Sequence, residues 1–310
     1  MAEWLRSRSA RLSCAVDEAA GDGGTVDSAP RSPDAWRRLV EPDQPFADRR
    51  ITFVGGLHRS GTTFLASALA RHPSISGLSD TGVDEDEGQH LQSVYPIARA
   101  HGGPGRFGFA AAMHLTEASP LVSTRSARSM MDAWRPYWDE TKPMLVEKSP
   151  PNLIKMRFLQ ALFPSASFVV LIRHPVAVAM ATKKWSKTSD ASLIEHWVAA
   201  HRTMESDLPY LSRVVVVRYE DMVSRFDGFM TALFEFLGLA PVDLHETPRT
   251  DVTQKYLDQW HEGSPVVRGR RAMIARRFAS KVEHFGYTFG SAVPEFPLPV
   301  SVPTLVIPEE

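Results

Sequence analysis

The chain has 310 residues, 35 Lys and Arg against 36 Asp and Glu, a net charge of −1, and 43% hydrophobic residues. That balance gives no global field for nucleic acid or an anionic membrane, so any anion site must be local, and the length suits one α/β domain or two small ones. A single cysteine, Cys14, excludes an intrachain disulfide and a cysteine-based zinc site and fits a reducing compartment; no apolar run reaches the roughly 18 residues of a membrane helix. The N-terminus lacks the long apolar region of a signal peptide, so a cytoplasmic location is expected.

Residues 1–48 read as a disordered tail, because the stretch from Asp17 to Asp34 is rich in Ala, Gly, Asp, Ser and Pro and has few large apolar groups. A strand is expected over residues 51–54, then a glycine turn and a helix over 61–71. A short strand at 144–146 precedes a helix over 153–163. Residues 167–172 form an almost unbroken apolar run, as in a strand covered on both faces, and helices follow over 176–185 and 192–208. A second all-apolar strand at 214–217 leads to a helix over 226–237 capped by Gly238, and a last helix spans 266–285. Residues 291–310 carry Pro294, Pro297, Pro299, Pro303 and Pro308 and read as an extended Pro-rich tail, leaving 49–290 as the folded domain. Alternating strands and helices imply an α/β fold with a central parallel sheet flanked by helices, and ligands in such sheets sit beyond the C-terminal strand ends.

The turn after the first strand reads Gly55-Gly56-Leu57-His58-Arg59-Ser60-Gly61-Thr62-Thr63. Glycines let a backbone approach an anion, and the first N–H groups of the next helix point at it. The spacing from Gly56 to Gly61 fits a nucleotide-binding P-loop, but Thr62 stands where that loop needs Lys, and the cation comes earlier as Arg59. Arg173 follows the strand 167–172 directly, where a nucleotide hydrolase would place Asp for magnesium. A kinase or NTPase and a non-catalytic nucleotide-binding protein remain as alternatives.

Arg59-Ser60-Gly61-Thr62-Thr63 resembles the 5′-phosphosulfate loop of PAPS-dependent sulfotransferases, in the form found in tyrosylprotein sulfotransferases and related bacterial enzymes. PAPS is 3′-phosphoadenosine 5′-phosphosulfate; its product is PAP. The resemblance runs over residues 51–289 and is weak between Gly82 and Pro143. It implies a P-loop-like sulfotransferase fold and a donor site formed by Arg59, Ser60, Gly61, Thr62, Thr63, Arg173 and Tyr219. Arg173 would bind the 3′-phosphate. Tyr219, in Tyr219-Glu220-Asp221-Met222, would lie by the adenine. The family Ser eight residues after that Arg is Ala181 here, which leaves Thr182 as its substitute. Lys148, in Glu147-Lys148-Ser149-Pro150, would contact the transferring group, and Arg268-Gly269-Arg270-Arg271 would close over the phosphates as a basic loop.

Transfer also needs a base for the acceptor hydroxyl. The acidic run Asp84-Glu85-Asp86-Glu87 and the family spacing to Asp80 give Glu87, Glu85, Asp80 and His90, in that order. The same acids would otherwise cap a helix over 88–100. The implied mechanism is in-line displacement without a metal, with Arg59 and Lys148 supplying the positive charge. The acceptor is a small-molecule or peptide hydroxyl; Trp134, Tyr137, Trp138 and the loop 102–109 read equally as pocket or core.

Overall fold

The computed structural model describes residues 50–307; the tail expected over 1–48, with Cys14, lies outside them. Five strands make one parallel sheet: β1 (Arg50–Gly56), β2 (Ile75–Gly77), β3 (Met144–Lys148), β4 (Ser167–Ile172) and β5 (Val214–Arg218). Their order is β2-β3-β1-β4-β5. Phe53 belongs to one buried cluster with Trp134, Phe158 and Trp197, whereas its neighbour Val54 belongs to another with Leu65, Phe229 and Leu233. Successive side chains alternate between faces, and both faces are covered, so the strands read as unbroken apolar runs.

One face carries α1 (Thr62–Ala70), α6 (Tyr219–Ser224) and α7 (Phe226–Phe236). The other carries α2 (Thr124–Trp134), α3 (Met156–Leu162), α4 (Pro175–Lys183), α5 (Asp190–Asp207), α8 (Val252–His261) and α9 (Pro265–Glu283). The chain leaves the central β1 for the β2/β3 side and later crosses to β4 and β5. The order therefore reverses at β1, and a crevice opens above the C-terminal ends of β1, β3 and β4.

Several local expectations change. The helix expected over 153–163 begins late, as a 3₁₀ turn Pro150–Ile154 followed by α3. No α-helix spans 88–100. Gly88–His90 and Ala98–His101 are single 3₁₀ turns, and buried glutamine amides satisfy the backbone between them. Gln92 Oε1 accepts from the N–H groups of Val94 (2.6 Å) and Tyr95 (2.9 Å), and Gln89 Oε1 accepts from Ala98 N–H at 2.9 Å. The acids at 84–87 thus have no α-helix to cap. Arg268, Gly269, Arg270 and Arg271 are not a loop. They lie in α9, which starts at Pro265 with Ser264 as its N-cap. Trp134 and Trp138 are core residues, with their indole N–H groups on the carbonyls of Gly88 (2.9 Å) and Val146 (3.2 Å). Over residues 291–307 the chain forms no helix; it turns at 299–302 and then meets β5 at one bridge, where Val216 N–H donates to the Pro303 carbonyl at 2.8 Å.

Candidate functional site

The turn after β1 is shaped by close approach. A Cβ on Gly56 would sit 2.6 Å from the Leu171 carbonyl, and one on Gly61 would sit 2.7 Å from Tyr219 Cδ2. Gly61 (φ 102°) caps α1, and Arg59 also has positive φ (71°), a conformation that costs a non-glycine residue about 1–3 kcal/mol. Ser60 Oγ is buried at the centre of the turn and finds no hydrogen-bond partner among the described residues. The Arg59 guanidinium is exposed at the rim, 4.6 Å over the ring of Trp185.

Arg173, at the end of β4, is buried with its guanidinium 3.9 Å from the centre of the Tyr219 ring. It donates to the Arg59 carbonyl at 3.1 Å and, through Nε and Nη2, to Thr253 Oγ1 at 3.4 and 3.3 Å. Those partners are a carbonyl and a hydroxyl, not a carboxylate. Thr253 Oγ1 in turn donates to Glu220 Oε1 at 3.4 Å. Glu220 also accepts from His174 N–H (3.1 Å) and the Tyr287 hydroxyl (2.9 Å), and burial holds its carboxyl above the ordinary value. Thr253 was not legible as a site residue. It sits in α8, whose buried Thr253, Tyr256, Leu257 and Trp260 follow helical spacing that the sequence does contain.

Across the crevice, Lys148 ends β3 with 5% of its side chain exposed. Its Nζ donates to the Glu85 carbonyl at 2.9 Å and to Glu87 Oε1 at 3.3 Å. Glu87 accepts a further bond from the Gln89 amide and has His90 Nε2 3.7 Å away. Burial outweighs these contacts and raises the Glu87 pKa above the ordinary glutamate value. Glu85 accepts from Thr63 Oγ1 at 3.1 Å, which joins the acidic segment to the first turn of α1. His58, half-buried beside Phe107, is pushed down to about 3 by desolvation first and by the charges of Lys148, His90 and Arg59 after it.

These groups meet in one cleft of about 480 Å³, a size suited to a nucleotide-scale ligand. Its lining brings together Arg59, Gly61, Thr62, Thr63, Glu85, Glu87, Arg173 and Tyr219 from the sequence-derived set. Ser60 and Lys148 stand just behind the wall. Asp80 does not reach the cleft; it is exposed on a positive-φ turn next to Gly82. His90 stays behind Glu87. Thr182 is also displaced. Ala181 faces the cleft, and Thr182, one helical step round, lines a separate small void with Leu57, Leu193 and His196. Arg271 is committed elsewhere, to Asp190 at 3.4 Å and to the carbonyls of Gln259, Trp260 and Glu262. The lining that sequence reasoning missed is His58, Trp185, Tyr256 and the turn around Pro248 and Arg249.

The glycine turn, the two strand-end cations and the acid between them accord with the comparison of the chain with known families. The chain belongs to the sulfotransferase family, whose model matches residues 52–243, more than half of its length. It is 26% identical over 204 residues to protein-tyrosine sulfotransferase 1 of Danio rerio, covering 62% of this chain and 54% of that protein. It is 20% identical over 167 residues to the omega-hydroxy-beta-dihydromenaquinone-9 sulfotransferase Stf3 of Mycobacterium bovis, covering 49% and 43%. The chain thus spans about half the length of the curated relatives it matches. Among solved structures, sulfotransferase STF1 from Mycobacterium tuberculosis aligns over 80% of this chain and 81% of its own, at 17% identity and a TM-score of 0.45.

Proposed function

We propose that this chain transfers a sulfuryl group from PAPS to a hydroxyl of a small molecule or peptide. The observation that carries the reading is Arg173: a buried guanidinium whose bonds go to a carbonyl and a hydroxyl, opening on the same cleft as the glycine turn. A buried cation to which no carboxylate bonds directly, Glu220 reaching it only through Thr253, calls for an anionic ligand. The unpartnered Ser60 Oγ and the glycine cradle fit the 5′ end of such a donor, and Arg173 with Tyr219 fits its 3′-phosphoadenosine end.

PAPS supplies the sulfuryl group and, in PAP, a leaving group whose 5′-phosphate keeps the electron pair of the broken S–O bond. Glu87 takes the proton of the acceptor hydroxyl as that oxygen bonds to sulfur; its raised pKa makes it a better base than an ordinary carboxylate. Arg59 and the N–H groups at the start of α1 hold the developing negative charge. Lys148 has three N–H donors and gives two of them to Glu85 and Glu87, leaving one for the reacting group. These cations take the electrostatic role that magnesium has in kinases, so the reaction is proposed to run without metal.

The test is a thermal melt with PAP, with and without EDTA, against ATP with magnesium. PAP is expected to raise the melting temperature equally in EDTA, by mass action. A shift with Mg-ATP and none with saturating PAP would favour a P-loop kinase and overturn the reading.

A further inference from the structure

Glu147 has no part in the chemistry above, yet its side chain lies at the junction of the site. It is fully buried on β3 beside Lys148. Its Oε1 accepts from Ser149 Oγ at 2.6 Å and from Gly88 N–H at 3.0 Å, and its Oε2 accepts from Asn152 Nδ2 at 2.6 Å. Asn152 Nδ2 also donates to the carbonyl of Val54, just before the glycine turn, at 3.2 Å. Ser149 Oγ accepts from Gln89 N–H at 2.9 Å. The approach is so close that a Cβ on Gly88 would lie 2.6 Å from Glu147 Oε1. Glu87 is the residue immediately before Gly88.

Gly88 N–H and Asn152 Nδ2 can only donate, and they meet different oxygens of the carboxyl, so both oxygens must accept; an amide would turn its NH₂ against one of them, whereas Ser149 Oγ can serve the ionised form as donor or the protonated form as acceptor. We infer that Glu147 is a positioning residue for Glu87: its carboxylate pins the backbone at Gly88 and Gln89 to β3, and through Asn152 to the end of β1, and so fixes the base relative to the donor turn. The inference rests on the transfer chemistry proposed above. The titratable groups facing Glu147 are Glu87 on the acidic segment, Lys148 on its own strand and the Tyr95 hydroxyl.

Glu147→Gln and Ser149→Ala are compared with wild type by amide hydrogen exchange over residues 84–92, by the PAP-induced melting shift, and by single-turnover transfer from PAPS to 4-nitrophenol across pH. Glu147→Gln is expected to keep the PAP shift, to speed exchange in that segment, and to slow transfer by about 10²-fold, the cost of displacing a reacting group by about 1 Å. The acid limb of its rate profile is expected to stay in place, because burial, Lys148, Gln89 and His90 set the proton affinity of Glu87 and the charge of Glu147 does not. Ser149→Ala frees Gln89 N–H without changing charge, so it speeds exchange and slows transfer but leaves the limb in place; it also decides the matter if Glu147→Gln does not fold. Unchanged exchange, or faster exchange with unchanged transfer, overturns the inference while wild-type turnover leaves the proposed function standing. A wild type with neither PAP shift nor turnover sinks the proposed function, and the inference with it.

Discussion

Arg173 and Lys148 are both buried cations at strand ends on either side of β1, and their surroundings differ. Arg173 leans on a tyrosine ring and donates to neutral oxygens, whereas Lys148 is neutralised inside the protein by Glu87 at 3.3 Å. A desolvated cation that no carboxylate contacts directly gains most from an incoming anion; a directly paired one has less to gain and is tied to whatever its partner does. On the proposed reading the β4 side of the cleft binds the donor and the β3 side carries the chemistry, and substitutions should separate the two.

The largest effect is expected from Glu87→Gln. Transfer should fall by about 10²–10⁴-fold, with PAP affinity within a few-fold of wild type, because shape and most hydrogen bonding survive while basicity is lost. Glu85→Gln should cost less, its carboxylate being bonded to Thr63 rather than to Lys148. Single-turnover rates on both variants check the order, and a reversed order would move the base to Glu85. Arg59→Ala comes next: turnover should drop by about 10²–10³-fold, as when one oxyanion-stabilising group is removed. If it altered apparent affinity alone, Arg59 would belong with Arg173 as a binding group.

Arg173→Ala should do the converse. PAP affinity should weaken by about 1.5–3 kcal/mol, the value of a charge-assisted bond, with the rate at saturation little changed. Calorimetric titration of PAP and saturating single-turnover rates read the two separately. The smallest donor effect is expected at α9: Arg268→Ala and Arg270→Ala should leave PAP affinity unchanged. Arg271→Ala leaves Asp190 its 2.5 Å pair with Lys183 but takes the donor from the carbonyls of Gln259, Trp260 and Glu262, and should lower stability by about 1–3 kcal/mol without touching PAP affinity. A clear loss of affinity in the first two would restore the basic-loop reading.

Acid should also destabilise the fold, chiefly through histidines away from the cleft. Burial lowers His58 and His196 to about 3 and His174 and His201 to about 4, against an ordinary 6.5. A depressed folded-state value means stability that is present above 6.5 and lost as pH falls toward 4. Glu147, raised by burial to about 7 from 4.5, works the other way: its contribution is present below 4.5 and lost as pH rises through 7. Glu87 and Glu220, also raised by burial, act in the same sense as Glu147, but the four imidazoles are shifted further in sum, so the melting temperature should fall from pH 6.5 to pH 4. A flat profile would mean that these imidazoles are not held neutral.

What was legible in the sequence was whatever obeys a local rule. Gly56, Gly61, Arg59 and Arg173 announce themselves because a glycine turn ahead of a helix and a strand-end cation depend on neighbours in sequence. The strands did so because burial on both faces leaves them uninterrupted. The 88–100 segment misled because its conformation comes from tertiary bonds: Gly88 to Glu147, Gln89 to Ser149, Gln92 to its own turn. Thr182 misled for a simpler reason, since a 100° step along α4 decides which of two adjacent residues meets the cleft. Thr253 was missed because its partner Arg173 is 80 residues away.

β5 is the outermost strand of its sheet, and an outer strand offers unpaired N–H and C=O groups to any passing chain. Here the stretch after Ser291 takes that place, with Val302 buried and Pro303 accepting from Val216. Pro294, Pro297, Pro299 and Pro303 lack the N–H that a further strand would need, so the covering stretch is a poor template in its turn. A segment that contributes nothing to the cleft thereby acts as a selvage, finishing the margin of the sheet so that one molecule does not ravel into the next.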